Sequence, residues 1–295
     1  MDRHAATVSV VDFAPFLNGS PSDKKSVADA ILSSFKETGF LYLINHGFPD
    51  HDIQGMFDWK VAHHLYEASE IAENRAKAQD VKENFECGRE DDEMMPNIWL
   101  PEGVLPGFKE ACLDYFWKCS ELQKDILSAL ALGFDLPEDY FVKFHTKPDN
   151  QLRLLHYPSI PLCALETNEI TRIDGHADFG SITIVFQDDV GGLEVEDPNN
   201  AGTFLPVPPI AGSVIVNAGD FLMRWSNDTI RSTVHRVRAP PGAALADGMV
   251  PERYSIPYVF FAVAFCCPDF ETIVDAIPGT WSAERPKRYE PILVR

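Results

Sequence analysis

The sequence predicts an α+β chain with a mainly β core, and three observations carry that prediction. Apolar positions at helical spacing dominate the first half. After Pro148 the texture changes to short β-branched and aromatic runs punctuated by Gly, Pro and Asn. The chain has 295 residues, 45% of them hydrophobic, with 20 Phe, which suffices for one large core or two domains at most and argues against disorder. Helices first and many short strands afterwards point to a sandwich or jelly-roll barrel with helices packed outside it. The expected division is a helical region with short strands over residues 1–150 and a β core over 151–295.

Residues 8–13 read as an opening strand. Ser20 is an N-cap followed by Pro21 at the first helical position. Val27, Ala28, Ile31, Leu32 and Phe35 keep the helical spacing until Gly39 stops it. Residues 40–45 form a strand, and a second helix is expected from 52 to about 77. Between 80 and 107 no period holds. Phe85, the acidic run Glu90-Asp-Asp-Glu93, Met94, Met95, Pro96 and Trp99 mark a long, partly irregular segment. A long helix opens at Phe108, places Cys112, Tyr115, Phe116, Cys119 and Leu122 on one face, and ends at Gly133. A short helix over 137–145 closes the helical half. Strands are expected near 152–157, 182–186, 192–195, 204–207, 213–216, 233–237 and 254–265. The tail from 281 to 295 is polar and peripheral.

A formal charge of -20 and a pI of about 4.7 give a surface that repels phosphate, so neither nucleic acid nor an anionic membrane is an expected partner. The six cysteines form no Cys-x-x-Cys pair and no disulfide framework, which suits a reducing, cytoplasmic setting. No apolar run is long enough to span a bilayer, and the N-terminal stretch is too short and too acidic-flanked for a signal peptide. A monomer or weak homodimer is the expected state.

The chemistry centres on Asp174-Gly-His-Ala-Asp178, just before a strand, with His235 in Ser232-Thr-Val-His-Arg-Val237. Two imidazoles and one carboxylate, from His176, His235 and Asp178, can occupy one face of an octahedral ion and leave the opposite face open, which suits Fe(II) and oxygen. Zinc could accept the same three with water as a fourth ligand. Arg253 and Ser255 lie two apart on one strand and therefore point to the same side. A buried arginine there needs an anion, and its fork matches a carboxylate; an internal salt bridge is the competing reading. Tyr157 could add a phenol or be an ordinary core tyrosine.

These segments resemble the Fe(II)/2-oxoglutarate-dependent dioxygenases of the isopenicillin N synthase-like family. The resemblance runs through Gly39-Phe-Leu-Tyr-Leu-Ile-Asn-His-Gly-Phe48, Leu152-Arg-Leu-Leu-His-Tyr-Pro158, His176-Ala-Asp-Phe-Gly-Ser-Ile-Thr183, Asn217-Ala-Gly-Asp220, Ser232-Thr-Val-His-Arg-Val237 and Arg253-Tyr-Ser-Ile-Pro257. It covers nearly the whole chain. It implies a distorted double-stranded β-helix with a helical N-terminal part, His176, Asp178 and His235 as iron ligands, and Arg253 and Ser255, assisted by Tyr157, as the grip on the distal carboxylate of 2-oxoglutarate. It further implies that O2 and 2-oxoglutarate are consumed, succinate and CO2 released, and a small organic molecule hydroxylated, desaturated or rearranged. The phrasing of the motifs leans to a fungal or bacterial member in secondary metabolism. The expected substrate contacts are Phe179, Leu193, Tyr258, Phe85 and Trp99. Leu155 stands where relatives often carry Asn, and Val259 where many carry an aromatic. Two other readings stay open at this point: an iron oxidase or cyclase of the same fold that needs no 2-oxoglutarate, and a zinc hydrolase or non-catalytic metal-binding protein, which would leave the Arg-x-Ser pair without a purpose.

Overall fold

The computed structural model describes residues 7–59, 79–93, 95–146, 149–167, 170–240, 242, 248–260 and 273–293. Strand β1 (Ser9–Asp12) leads through the short helix α1 (Ala14–Asn18) to helix α2 (Pro21–Glu37). Ser20 and Asp23 close a reciprocal capping box on α2, the Ser20 hydroxyl accepting from the Asp23 amide and the Asp23 carboxylate from the Ser20 amide. Gly39 then turns the chain at φ 73°, where an added Cβ would sit 2.5 Å from the Arg231 carbonyl oxygen. Strand β2 (Phe40–Ile44) and helix α3 (Asp50–Asp58) follow. The rest of the helix expected to run to 77 lies outside the described residues.

The segment expected to be irregular contains a short strand, β3 (Gln79–Asp80), and an edge strand, β4 (Glu83–Cys87). Its pairing to a distant strand is invisible to local periodicity. Helix α4 (Phe108–Gly133) matches the expected long helix, but the short helix expected over 137–145 reduces to a single 3₁₀ turn at Val142–Phe144. The second half supplies β5 (Asn150–Tyr157), β6 (Ile160–Pro161), α5 (Leu162–Glu166), β7 (Ile170–Thr171), β8 (Ile173–His176), β9 (Ile182–Gln187), β10 (Leu193–Glu196), β11 (Phe204–Pro206), β12 (Ser213–Ala218), α6 (Asp220–Trp225), β13 (His235–Val237), β14 (Met249–Val250), β15 (Arg253–Phe260), β16 (Ile273–Val274) and β17 (Ile292–Leu293).

Two sheets matter for function. A seven-stranded sheet has the order β1-β2-β12-β9-β15-β5-β4, and a four-stranded sheet the order β11-β10-β13-β8. β1, β2 and β4 come from the first half of the chain and pair into the large sheet. One side of that sheet is apolar. Phe186 meets Tyr115, and Tyr258 meets Phe116, edge-on at 5.3 Å, both partners being on α4. Fully burying each such ring is worth about 1.5–3 kcal/mol, so this side carries the main stabilising core. The opposite side is free to hold polar groups.

Strand register decides which ones. Alternation sends Asn217 and Thr183, which are paired across β12 and β9, to the same side. One row deeper come Tyr42, Ile215, Val185 and Pro257, and the same register sets Arg153 opposite Pro257 and Glu86 opposite Arg153. The next row holds Ser213, Gln187, Ser255, Leu155 and Asn84, and Arg253 faces Tyr157 beyond it. A second apolar cluster, including Leu155, Tyr157, Leu193, Val195, Val207 and Ile215, fills the space between the two sheets. No described helix is long and apolar enough to cross a membrane. The described cysteines, Cys87, Cys112, Cys119 and Cys163, are free thiols.

Candidate metal centre

The small sheet brings the two histidines together. His176 ends β8 and His235 begins β13, and the two are direct cross-strand partners. Such partners hold their Cβ atoms about 4.5–5.5 Å apart on one face, and here the rings lie 4.3 Å apart between centroids. His176 therefore ends a strand, β8, that local pattern did not reveal, and His235 opens its strand rather than lying mid-way along it. The Nδ1 atom of His176 faces the Asp174 carbonyl at 2.9 Å, and that of His235 the Thr233 carbonyl at 3.2 Å. A carbonyl only accepts, so both Nδ1 atoms carry the proton and both Nε2 lone pairs are presented as ligands.

Asp178 completes the set. Its Oδ1 lies 3.8 Å from the Nε2 of each histidine, while its Oδ2 accepts from the Thr183 hydroxyl at 2.6 Å and the Asn217 amide at 2.7 Å. One oxygen is thus anchored and the other left to bind. Burial raises the Asp178 pKa and is the largest single influence, but His235, Thr183, Asn217 and His176 together outweigh it and hold the carboxyl below its ordinary value. Burial pulls the His235 pKa down, more than the Asp178 charge lifts it. A carboxylate and a neutral imidazole are the forms that coordinate metal. The three ligand atoms lie within 4.8 Å of one another, so the donor set fits a divalent ion.

The loop from Asp178 to Ser181 is held from two sides. The amides of Asp220 and Phe221, at the start of α6, donate to the carbonyls of Asp178 and Phe179 at 2.7 and 3.0 Å. His145 accepts from the Ser181 hydroxyl at 3.0 Å through Nε2 and donates to the Phe141 carbonyl through Nδ1. Gly219 sits so close that an added Cβ would stand 2.3 Å from the Gly180 oxygen and 2.7 Å from the Asp178 oxygen. Gly219→Ala is therefore expected to displace the Asp178 loop and weaken divalent metal binding by about 10–100-fold, the scale at which outer-shell changes act. A Co(II) absorption titration with circular dichroism as the folding control checks this; unchanged affinity would show that the loop yields at no cost.

The second group lies deeper between the sheets. Arg253 is 1% exposed, donates to the Ser255 hydroxyl at 3.1 Å and the Gln187 side-chain oxygen at 3.0 Å, and stands over the Tyr157 ring at 5.1 Å. Burial raises the Tyr157 pKa, and Arg253 and Ser255 pull against it. From the level of Thr183 to that of Gln187 is four residues, about 13 Å of strand at roughly 3.3 Å each. Between the two levels, Arg153 pairs with Glu86 at 3.1 Å and is close enough to feel the Asp178 charge.

The five expected substrate contacts are dispersed. Phe179 adjoins Asp178 and is 71% exposed, an unusual position for a phenylalanine. Leu193 lies in the apolar cluster between the sheets, paired with Val237, two residues from His235. Phe85 and Trp99 pack together at 5.8 Å; Phe85 borders a cavity of about 280 Å³ that Asn84, Glu86, Gln151 and Asp149 also line, but its ring is buried against Phe108 of α4 at 4.9 Å, on the side of the large sheet away from the histidines, which corrects it as a substrate contact. Tyr258 requires correction. It is fully buried against α4 on the far side of the large sheet, and alternation along β15 gives the inner side to Pro257 and Val259 instead. Thr183, Asn217, Gln187, Arg153 and Glu86 were not singled out from the sequence. For Asn217 the only available signal was its place in a family motif. His156 lies away from the metal ligands, between Glu83 at 2.6 Å and Glu252 at 3.4 Å and stacked on Tyr254.

Two imidazoles and a carboxylate gathered at one end of the space between the sheets, with a buried arginine deeper between them, define a site of the non-haem Fe(II) oxygenase class. Comparison with known proteins agrees. Residues 148–262 match the model of the 2OG-Fe(II) oxygenase superfamily, and residues 8–64 match that of the non-haem dioxygenase in morphine synthesis N-terminal region. The chain is 38% identical to the proline hydroxylase buaE of Petromyces alliaceus over 85% of its own length and 86% of that protein's. It is 33% identical to the 2-oxoglutarate-dependent dioxygenase ecdK of Aspergillus rugulosus over 96% and 95%. The crystal structure of full-length Neurospora crassa T7H with alpha-KG and thymine matches with a TM-score of 0.88 at 35% identity, over 100% of this chain and 96% of that one. The chain belongs to the 2OG-Fe(II) oxygenase superfamily. It is an oxidoreductase that uses Fe(II), 2-oxoglutarate and O2 to oxidise a small molecule, and its fungal relatives fit secondary metabolism.

Proposed function

We propose that His176, Asp178 and His235 hold the iron and that Arg253, Ser255 and Tyr157 hold the distal carboxylate of 2-oxoglutarate. The observation that carries this reading is the pairing of an anchored carboxylate and two Nε2 donors with a buried arginine about 13 Å further along the same inner face. Bound Fe(II) supplies O2 activation coupled to oxidative decarboxylation of 2-oxoglutarate to succinate and CO2. The chain supplies position. Thr183 and Asn217 fix which Asp178 oxygen binds, Thr233 and Asp174 carbonyls fix the imidazole tautomers, and the apolar packing of Leu155, Ile215 and Leu193 keeps bulk water from the inner cavity. The substrate then sits at the mouth beside Phe179, with Leu193 beneath the ligands. In the same reading residues 1–150 provide an outer helical layer together with strands β1, β2 and β4, and residues 151–295 provide the double-stranded β-helix core. The close approach of Gly133 to Ala28 and Leu32, which locks α4 to α2, supports that layer.

The test is an anaerobic titration of the Fe(II)-loaded protein with 2-oxoglutarate, followed by oxygen. A weak visible charge-transfer band, then succinate formed in proportion to oxygen consumed, is the expected result. Substrate turnover without succinate would instead identify a 2-oxoglutarate-independent oxidase. Tight zinc with no oxygen uptake would move the protein to the hydrolase reading.

A further inference from the structure

A second arginine beside Tyr157 has no place in the scheme so far. Arg172 lies between β7 and β8, four residues before His176, and its side chain is 0% exposed. Among the described residues it makes one hydrogen bond, from Nη2 to the Pro251 carbonyl, and its Nε and Nη1 atoms are buried without a hydrogen-bond partner. Arg253 likewise has a buried Nε without a partner, and its two hydrogen bonds go to the neutral Ser255 and Gln187. Both guanidinium groups stand over the same ring, Tyr157, Arg172 at 6.0 Å and Arg253 at 5.1 Å. Among the described residues neither forms an ion pair with a carboxylate. The acid whose charge reaches both is Asp188, which accepts from the amides of Tyr254 at 2.5 Å and Val190 at 3.1 Å and is not within ion-pair distance of either guanidinium.

Two like charges in a low-dielectric interior repel, and buried charge is costly unless it is paired. Burial and then the Arg253 charge lower the Arg172 pKa to about 10, which still leaves it protonated at neutral pH. A lysine in such a place would shed its proton, whereas two arginines keep theirs and with them an unmet demand for negative charge. A carboxylate offers two oxygens and about four lone-pair sites, enough for two guanidinium groups.

We infer that Arg172 is a second anion-binding arginine of the cosubstrate pocket and meets the distal carboxylate of 2-oxoglutarate together with Arg253. The inference rests on the reading of Arg253 and Ser255 given above. The pocket is then built for a dicarboxylate more strictly than a single arginine would make it. A 2-oxo acid with no distal carboxylate gains nothing from Arg172.

The test uses the full chain, loaded with Fe(II) and free of oxygen. Wild type, Arg172→Gln and Arg172→Lys are titrated with 2-oxoglutarate and with 2-oxopentanoate, which keeps the metal-chelating end and lacks the second carboxylate. The visible band reports binding. Arg172→Gln is expected to weaken 2-oxoglutarate by at least about 30-fold, the scale for truncating one partner of a buried charged hydrogen bond, and to leave 2-oxopentanoate and the Fe(II) affinity within about 2-fold of wild type. Arg172→Lys, which keeps a nitrogen donor but loses the fork and the fixed charge, is expected to fall in between, about 5–10-fold weaker for 2-oxoglutarate alone. Equal weakening of both ligands, or no weakening, overturns the inference while leaving the Arg253 reading intact. A wild type that fails to prefer 2-oxoglutarate over 2-oxopentanoate overturns that reading instead. If Arg172→Gln does not fold, Arg172→Lys decides by the same comparison.

Discussion

Asp178→Ala is expected to reduce divalent metal affinity by more than about 100-fold and to abolish both the 2-oxoglutarate band and succinate formation. The margin exceeds the 10–100-fold expected for an outer-shell change, because the variant removes a proposed ligand atom and the carboxylate that, among the described residues, faces both imidazoles. It also strands two buried donors. The Thr183 hydroxyl and Asn217 amide lose their acceptor, at about 1–3 kcal/mol each for a buried unsatisfied group, so some loss of thermal stability accompanies the loss of metal. Asn217→Ala separates the two effects. It keeps the ligand and removes one orienting bond, and should cost metal affinity about 10–100-fold. Co(II) absorption titrations on the three proteins, with circular dichroism alongside, are the measurement. Metal retained by Asp178→Ala at wild-type affinity would remove His176, Asp178 and His235 from consideration as the metal site.

Arg253→Glu carries the second large effect, a loss of 2-oxoglutarate affinity of at least about 1,000-fold with metal affinity unchanged. Truncating one partner of a buried charge pair already costs about 2–5 kcal/mol, and here a repelling carboxylate replaces the arginine, which is 1% exposed. The variant should still fold. The new carboxylate arises beside Arg172, whose Nε and Nη1 have no partner in the wild type, so the charge reversal creates a possible ion pair where two cations stood before. Anaerobic titration of the visible band checks the ligand, and the Co(II) spectrum checks the metal. A band that titrates as in wild type would show that Arg253 does not hold the cosubstrate.

His176-x-Asp178 and His235 were visible in the sequence through residue type and their place in family motifs, and Arg253-x-Ser255 through spacing along one strand, which repeats every two residues wherever it lies. The long helix α4 and the capped helix α2 were legible for a similar reason, since their apolar faces and end signals are local. The edge strand β4 was not, because its stability comes from pairing with β5 more than 60 residues away. Nor was the choice between Tyr258 and Val259. Both neighbours are apolar enough for either side of the sheet, and only the register with β9 and the ring of Phe116 assign Tyr258 to the core.

The sequence by itself determined the kind of chemistry, through ligand types, their order along the chain and an arginine two residues from a serine. Only the tertiary structure decided which Asp178 oxygen is free, which histidine nitrogen keeps a free lone pair, and that Arg172 stands with Arg253 over Tyr157. Those outcomes rest on hydrogen bonds and burial between segments far apart in the chain, from Asn217 to Asp178 and from Pro251 to Arg172, and no local pattern encodes them.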